Sequence, residues 1–170
     1  MKLSLLPFIF LFSFGCFAQQ ITIDEELTKI YFTFIDQDVE GELSGFKFTG
    51  AIDLNAITTA IFSGSVTTES LDTHNWLRSR HLRSKKYFAA KEHPHLYFKS
   101  MTITTTTTGF RVSGQLTIKG ITQNCIWNFT IQENSLSGTT SINTHDYNIK
   151  VYDEKARNEV SIKIILPYTK

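Results

Sequence analysis

Hydrophobic and polar side chains alternate along most of this 170-residue chain, and that period-two pattern is what most constrains its fold. It is clearest over residues 124–131, whose sequence is NCIWNFTI. Similar runs occupy residues 30–35, 46–54, 60–68, 96–108, 110–118, 136–142 and 160–168. Gly, Asn, Asp or Ser bounds these runs, as is typical of antiparallel strands. The chain is therefore predicted to be all-β, with about eight strands.

Short turns join most of these strands, which indicates a sandwich or an up-and-down barrel. No P-loop, dinucleotide-binding glycine pattern, heptad or internal repeat is found in the sequence. Of the two architectures we expect a single antiparallel β-barrel, because closing the sheet removes its exposed edges. A barrel of roughly eight strands has room either for its own packed side chains or for one small ligand.

The first 18 residues are predicted to be a secretory signal peptide. Lys2 precedes an apolar run that is too short to span a bilayer, and Cys16-Phe17-Ala18 offers a small-x-small cleavage pattern. Cleavage before Cys16, with lipidation of that residue, is a less favoured alternative because Ser13 stands where an aliphatic residue is expected. We therefore expect secretion across the inner membrane to the periplasm, and one mature domain over residues 19–170.

The charge and cysteine content of this domain argue against a nucleic-acid-binding protein and against a fold held together by disulfides. Removal of residues 1–18 leaves 152 residues and takes away one charged group, Lys2, so that 16 basic residues balance 16 acidic ones. This balance gives no reason to expect a nucleic-acid partner. Cys125 is the only thiol left, so no intramolecular disulfide can form and the hydrophobic core must hold the fold.

The segment at residues 75–100 departs from the alternation. Basic residues crowd between aromatic and aliphatic ones from Trp76 to Phe88, with spacings of three to five that fit a helix. Pro94 forbids further helix and favours an extended conformation at His93. We predict a short helical insertion around residues 75–90 that covers one end of the β body.

Several spaced motifs resemble those of the YceI-like family of secreted bacterial proteins, over the whole mature chain. Residues 78–82, RSRHL, are similar to the family's Arg-Asp-x-His-Leu, and residues 93–100, HPHLYFKS, to its Tyr-Pro-x-Ile-x-Phe-x-Ser. The Tyr87-Phe88 pair, Gly41, residues 50–52 and residues 112–122, VSGQLTIKGIT, also match. Ser79 and Ala89 depart from the family, which has acidic residues at these positions.

The resemblance implies a lipocalin-like, extended barrel with a helical insertion, which holds a polyisoprenoid chain such as the tail of a quinone. The expected function is to sequester or carry an isoprenoid or another long-chain amphiphilic lipid. Apolar residues of the interior and the mouth are the candidate ligand-binding residues: Phe32, Phe34, Phe46, Phe48, Trp76, Leu82, Phe88, Phe98, Trp127, Phe129 and Ile164. Arg78, Arg80 and His81 are candidate contacts for a lipid head group.

The same alternation is compatible with an interior filled by its own side chains. The alternative function is therefore that of a packed-barrel structural or interaction protein of the cell envelope, without a lipid ligand. The resemblance also leaves a homodimer open.

Catalytic and metal-binding patterns are weak. His93 and His95 share one parity, but no third ligand and no His-Glu-x-x-His motif accompany them. Asp72 with His74, and His145 with Asp146, lack a nucleophile motif such as Gly-x-Ser-x-Gly. Cys125 lies on the apolar parity, where a thiol is normally inert. We expect no enzymatic activity, no metal, no transmembrane span and no cofactor apart from the cargo itself, an isoprenoid quinone or similar lipid.

Overall fold

The computed structural model describes residues 20–170. The signal peptide predicted at residues 1–18 and the Cys16 alternative lie outside these residues.

Eleven β-strands and one α-helix make up the described chain. The strands are β1 (Gln20–Ile23), β2 (Lys29–Phe34), β3 (Val39–Leu43), β4 (Lys47–Phe48), β5 (Ile52–Asp53), β6 (Ser63–Thr67), β7 (His95–Thr105), β8 (Gly109–Ile118), β9 (Ile121–Ile131), β10 (Ser135–Asn143) and β11 (Glu159–Thr169). Helix α1 spans Trp76–Arg83. Five short 3₁₀ helices lie at Ile35–Gln37, Leu54–Thr59, Thr68–Ser70, Thr144–Tyr147 and Lys155–Asn158.

Nine of the strands form a curled, antiparallel sheet in the order β3-β2-β11-β10-β9-β8-β7-β6-β4, and β1 joins it by pairing with β11 and with β5. Its two terminal strands, β3 and β4, are separated by residues 44–46 alone, so one stretch of chain supplies both edges and closes the barrel. We call the contact between residues 44–48 and β6 the seam. Lys47 pairs with Ser65 and Phe48 with Gly64, and the Thr67 amide donates to the Ser44 carbonyl at 3.3 Å. The all-β barrel expected from the sequence is confirmed.

Eight of the eleven strands described are five residues or longer, in agreement with the predicted number. The predicted parity also holds along β8, where Phe110, Val112 and Leu116 are buried while Arg111 and Gln115 are exposed. Inward-facing residues of all the long strands join one core. The period-two pattern therefore decided which face of each strand lies inside.

Turn chemistry sets the register between β8 and β9. Lys119 and Gly120 form a two-residue connection with φ of 52° and 74°, and Ile118 pairs with Ile121. Two central residues with positive φ match the right-handed twist of the strands that they join. Gly120 meets this requirement without the steric cost that a Cβ would bring.

The insertion between β6 and β7 is short and well anchored. Asn75 caps α1 by accepting a hydrogen bond from the Arg78 amide at 3.0 Å. The fully buried Thr68 donates from its amide to the Pro94 carbonyl and from its hydroxyl to the His93 carbonyl, so the two ends of the insertion are tied together. Residues 87–90 after the helix are buried in the body.

Ser79, which departs from the family motif, is 2% exposed within this insertion. Its hydroxyl donates to Asp72 Oδ1 at 2.9 Å and accepts from the Thr73 amide at 2.9 Å. The hydrogen bond from the Ser79 hydroxyl is the main cause of the lowered pKa of the Asp72 carboxyl, and a hydrogen bond from the His74 amide lowers this pKa further. The carboxylate of Asp72 therefore lies next to residue 79, the position at which the family has an acidic side chain and this chain has Ser.

Candidate functional site: an apolar cavity inside the barrel

The interior of the barrel contains a partly open cavity of about 110 Å³ whose exposed wall atoms are apolar. Strands from all around the barrel contribute to it. Its walls are formed by Ile30, Leu43, Phe46, Phe48, Phe62, Ser63, Gly64, Ser65, Val66, Leu96, Tyr97, Phe98, Leu116, Ile118, Trp127, Phe129, Ile162, Ile164 and Leu166. Such a surface offers dispersion and hydrophobic burial to a ligand, and no charge.

Inward-facing glycines make room for the aromatic rings of this wall. A Cβ at Gly114 would lie 2.5 Å from Cζ of Phe98, and one at Gly138 would lie 2.5 Å from Cε1 of Phe129. A Cβ at Gly64 would lie 3.1 Å from Cε2 of Phe46. Each ring therefore packs closely against the backbone at one of these glycines. A side chain at Gly138 would collide with the Phe129 ring, and one at Gly114 would collide with both the Phe98 ring and the Lys99 carbonyl.

An aromatic stack forms the floor of the cavity. Phe62 and Phe129 line the cavity and both contact Phe110, with ring centroids 5.7 and 5.1 Å away. Phe110 is 1% exposed and does not line the cavity. The interior thus changes from an open space to a tightly packed one within the thickness of one ring.

The seam bears two of the cavity's rings, Phe46 and Phe48, both half-buried. Two residue pairs join β4 to β6, whereas ten residue pairs join β8 to β9. Glu25 reinforces the seam from outside, since its carboxylate accepts from the Phe48 amide at 2.7 Å and from Lys47 Nζ at 2.8 Å. These bonds, with that of Lys47 the larger cause, hold the pKa of Glu25 below its usual range.

Trp127 is 7% exposed. Its indole Nε1 is the one buried side-chain nitrogen or oxygen in residues 20–170 that has no hydrogen-bond partner. The nearby Cys125 thiol has a pKa raised to about 11 by burial, a shift that the indole N–H opposes. A thiol is a weak acceptor, and this contact does not reach hydrogen-bond geometry. A buried donor without a partner is costly, and Nε1 adds no polar surface to the cavity wall.

Six of the predicted ligand-binding residues line the cavity: Phe46, Phe48, Phe98, Trp127, Phe129 and Ile164. The structure places the other five elsewhere. Phe32 and Phe34 are buried and pack edge-to-face at 5.9 Å, and Leu82 and Phe88 are buried in the core outside the cavity wall. Trp76 is 69% exposed.

The three candidate head-group residues lie on α1, away from the cavity wall. Arg78 is engaged within the insertion, since Nε donates to Thr73 Oγ1 at 3.0 Å and a terminal nitrogen donates to the Thr73 carbonyl at 2.7 Å. Arg80 lies over the Trp76 ring at 5.4 Å, and His81 packs edge-on against Tyr87 at 4.9 Å.

Nine apolar wall residues were not among the predicted ligand-binding residues: Ile30, Leu43, Phe62, Val66, Leu96, Leu116, Ile118, Ile162 and Leu166. They have the inward parity, which could have marked them. Parity alone could not separate them from Phe110 or Val112, which have the same parity and lie in the packed region.

The histidine and carboxylate pairs considered for catalysis are peripheral. Asp146 forms an ion pair with Lys155, and Asp72 is held by Ser79 and the His74 amide. No three His, Cys, Asp or Glu residues within the described range come together as a metal-binding group. Between residues 20 and 170, no helix has the length and apolar character needed to cross a bilayer.

Comparison with protein families gives a match to the YceI-like domain over residues 21–167. Among curated proteins, a UPF0312 protein of Photorhabdus laumondii is 39% identical over 59 residues, which cover 35% of this chain and 31% of that protein. A UPF0312 protein of Staphylococcus aureus is 31% identical over 84 residues, or 49% of this chain and 47% of that protein. The matches thus span between about a third and a half of the length of these relatives.

Solved structures share the fold. Burkholderia cenocepacia BcnA superposes with a TM-score of 0.72 at 21% identity, covering 88% of this chain and all of that one. A polyisoprenoid binding domain from Saccharophagus degradans, implicated in plant cell wall breakdown, gives a TM-score of 0.58 at 13% identity and covers 87% of this chain and 97% of that domain. At these identities the likeness establishes the architecture alone.

Proposed function

The chain belongs to the YceI-like domain family, and from this membership we propose that it is a binding protein for an isoprenoid or other long-chain amphiphilic lipid. The barrel takes up the apolar chain of the lipid and sequesters or carries it, without making or breaking a bond. The polyisoprenoid binding domain that shares this fold supports the choice of ligand class.

The apolar cavity is the observation that carries the proposal. An alkyl or isoprenyl chain gains about 0.8 kcal/mol for each buried CH₂ group. An apolar cavity of about 150 Å³ in another protein holds one benzene ring, so the space of about 110 Å³ here accepts roughly one isoprene unit. A longer chain requires wall side chains to move.

Phe46 and Phe48 are the wall residues best placed to move, because both are half-buried and the seam that bears them is thinly paired. Their displacement would extend the cavity towards the surface while the long strands stay in register. We therefore place access for the lipid chain at the seam.

The unsatisfied Nε1 of Trp127 refines the ligand class. Once wall side chains move to admit the chain, a carbonyl or hydroxyl oxygen on the lipid would satisfy this donor, with a net gain of about 0.5–1.5 kcal/mol. Trp127→Phe keeps a ring in the wall but removes the N–H. We expect up to about tenfold weaker binding of an oxygenated isoprenoid, by titration calorimetry, and equal binding of a hydrocarbon of the same length. Equal loss for both ligands would contradict this role.

Location is part of the proposal. The apolar leader at residues 1–18 supports export to the periplasm, where a soluble carrier would shield an isoprenoid chain from water. Mass determination of the N-terminus of the exported protein distinguishes cleavage after Ala18 from lipidation at Cys16.

Mass spectrometry of an organic extract of the purified protein tests the function. We expect a stoichiometric isoprenoid or long-chain species. Val66→Phe, which adds a ring to the cavity wall, should lower its yield severalfold, whereas Ile126→Phe on the outer face should leave it unchanged. Equal yields from both folded variants would exclude binding in the cavity. A ligand-free extract from the folded wild-type protein would favour the packed-barrel interaction protein instead.

A further inference from the structure

Helix α1 presents two large apolar side chains to solvent. Trp76 is 69% exposed and Leu77 68% exposed, the highest values for large hydrophobic residues in the described part of the chain. They are adjacent and lie in the first turn of the helix. Isolated exposed hydrophobic residues are ordinary, but an adjacent Trp-Leu pair on a helix needs a reason.

The same segment is strongly cationic. Residues 75–91 contain six Lys and Arg residues and no Asp or Glu. Arg83 approaches Glu69 at 3.9 Å and Lys85 pairs with Glu92 at 3.1 Å, whereas Arg80 and Lys91 form no ion pair within residues 20–170. The apolar pair is therefore flanked by positive charge that the rest of the described chain does not neutralise.

Part of this charge surrounds a surface hollow of about 400 Å³. The hollow is lined by Glu69, Arg80, Arg83, Ser84, Lys85, Ala89, Lys91 and Glu92, four cations against two carboxylates. Arg80 connects the hollow to the apolar pair, because its guanidinium lies over the Trp76 ring at 5.4 Å. Apolar and cationic groups thus form one continuous surface, which we call the α1 surface.

The α1 surface has a rigid base. Ser79 and Leu82, on the same helix, are 2% and 8% exposed, so that face is fixed in the body. The capping Asn75 and the buried Thr68 hold the segment at its N-terminal side, and the buried Ala89 and Ala90 hold it after the helix. Trp76 and Leu77 are consequently held outward by structure.

We propose that the α1 surface docks on an anionic lipid bilayer. Trp76 and Leu77 enter the interfacial region, where Trp is favoured. Arg80 and Lys91, the cations of this surface that form no ion pair within residues 20–170, lie at the level of the phosphates, which complement their charge. The occupant is a bilayer, because an interfacial Trp next to unpaired cations matches the layering of apolar and phosphate groups at a membrane surface. Only the purpose of docking rests on the proposed function: a docked barrel lies next to a source of lipid.

Flotation of the purified protein with vesicles tests this. We expect the protein to float with mixed phosphatidylcholine–phosphatidylglycerol vesicles, to do so less at high salt, and to bind pure phosphatidylcholine much more weakly. The double variant Trp76→Ser with Leu77→Ser should lose about tenfold or more in partitioning. Arg80→Gln and Lys91→Gln should each lose about fivefold.

Met101→Ser is the matched control, because Met101 is 65% exposed but lies on β7 of the barrel wall. It should float like the wild type. Equal flotation of the Trp76/Leu77 double variant and the wild type would overturn the proposal, as would equal binding to both vesicle types. Failure of the wild type to float, together with self-association that the double variant abolishes, would overturn it in favour of a protein interface.

The cargo assay keeps the two proposals apart. A double variant that yields the wild-type amount of lipid extract but does not float supports docking as a separate step. A wild-type protein that floats but yields no extractable lipid leaves docking intact and removes the carrier function.

Discussion

Strand β8 passes through two different interiors. Near its start, Phe110, which belongs to the aromatic stack, and Val112 are 1% and 0% exposed and do not line the cavity. Near its end, Leu116 and Ile118 face the cavity. Between them stands Gly114, whose missing side chain leaves room for the ring of Phe98. The hydrophobic pattern is the same in both halves, so the apolar character of the strand alone does not decide where the cavity lies.

Removal of a ring from each region gives the largest expected contrast. Phe110→Ala should destabilise the protein by about 3–5 kcal/mol, since the packed region has no freedom to collapse around the void. Phe98→Ala, at the half-buried cavity wall, should cost less, about 2 kcal/mol. Urea unfolding measures both. Equal losses would mean that the two regions are packed alike.

Addition of a ring gives the converse contrast. Val112→Phe should cost about 1–3 kcal/mol, because the packed region has no space for the larger side chain. Val66→Phe should change the free energy of unfolding by less than about 1 kcal/mol, because it grows into the cavity. A Val66→Phe variant as unstable as Val112→Phe would argue that the cavity is absent in solution.

A methyl group at Gly138 tests whether glycines maintain the open space. The Cβ would lie 2.5 Å from the Phe129 ring, so that ring must shift within the aromatic cluster that lines the cavity. We expect Gly138→Ala to cost about 1–2 kcal/mol and to reduce lipid yield. The exposed neighbour Thr139→Ala should change stability by less than about 0.5 kcal/mol. An unchanged lipid yield in Gly138→Ala would separate the glycine from the cavity.

The smallest effect is a pH response confined to the seam. Because the folded-state pKa of Glu25 is lowered, its bonds to Lys47 and the Phe48 amide are complete above the ordinary glutamate pKa of about 4.3 and are lost as the pH falls through the lower, folded value. Hydrogen exchange of the Phe48 amide should therefore accelerate, relative to amides of β8, below about pH 4. In Glu25→Gln this relative acceleration should already be present at pH 7. The same relative rates in both proteins at both pH values would contradict this link.

The alternation of residues predicted the strands, their inward faces and the barrel, because burial of one face is a local and repeated requirement. It did not predict the exposure of Trp76, which was expected at the mouth: in a helix of eight residues, spacing does not decide which side packs, and Ser79 and Leu82 take that role. Residues 144–158, which lie between two runs of alternation and have no period of their own, contain two 3₁₀ helices arranged around the fully buried Asn158. This side chain accepts from the Val151 and Tyr152 amides and donates to two carbonyls, a network that has no sequence period.

The cavity was the part of the site hardest to predict. It depends on distances between residues far apart in the chain, such as Phe62 and Phe129, whose ring centroids lie 5.5 Å apart. Parity identifies inward residues one strand at a time. It does not report the volume left when eight strands are brought together.

The position of β11 in the sheet has a consequence for how the chain folds. This last strand pairs with β10 on one side and with β2 and β1 on the other, and Val160 lies opposite Phe34, 126 positions earlier in the sequence. Bringing such distant segments together costs loop-closure entropy before any contact rewards it, so a slow, millisecond-to-second rate is expected. A ribosome that has not yet released residues 159–169 therefore carries a chain whose barrel cannot close.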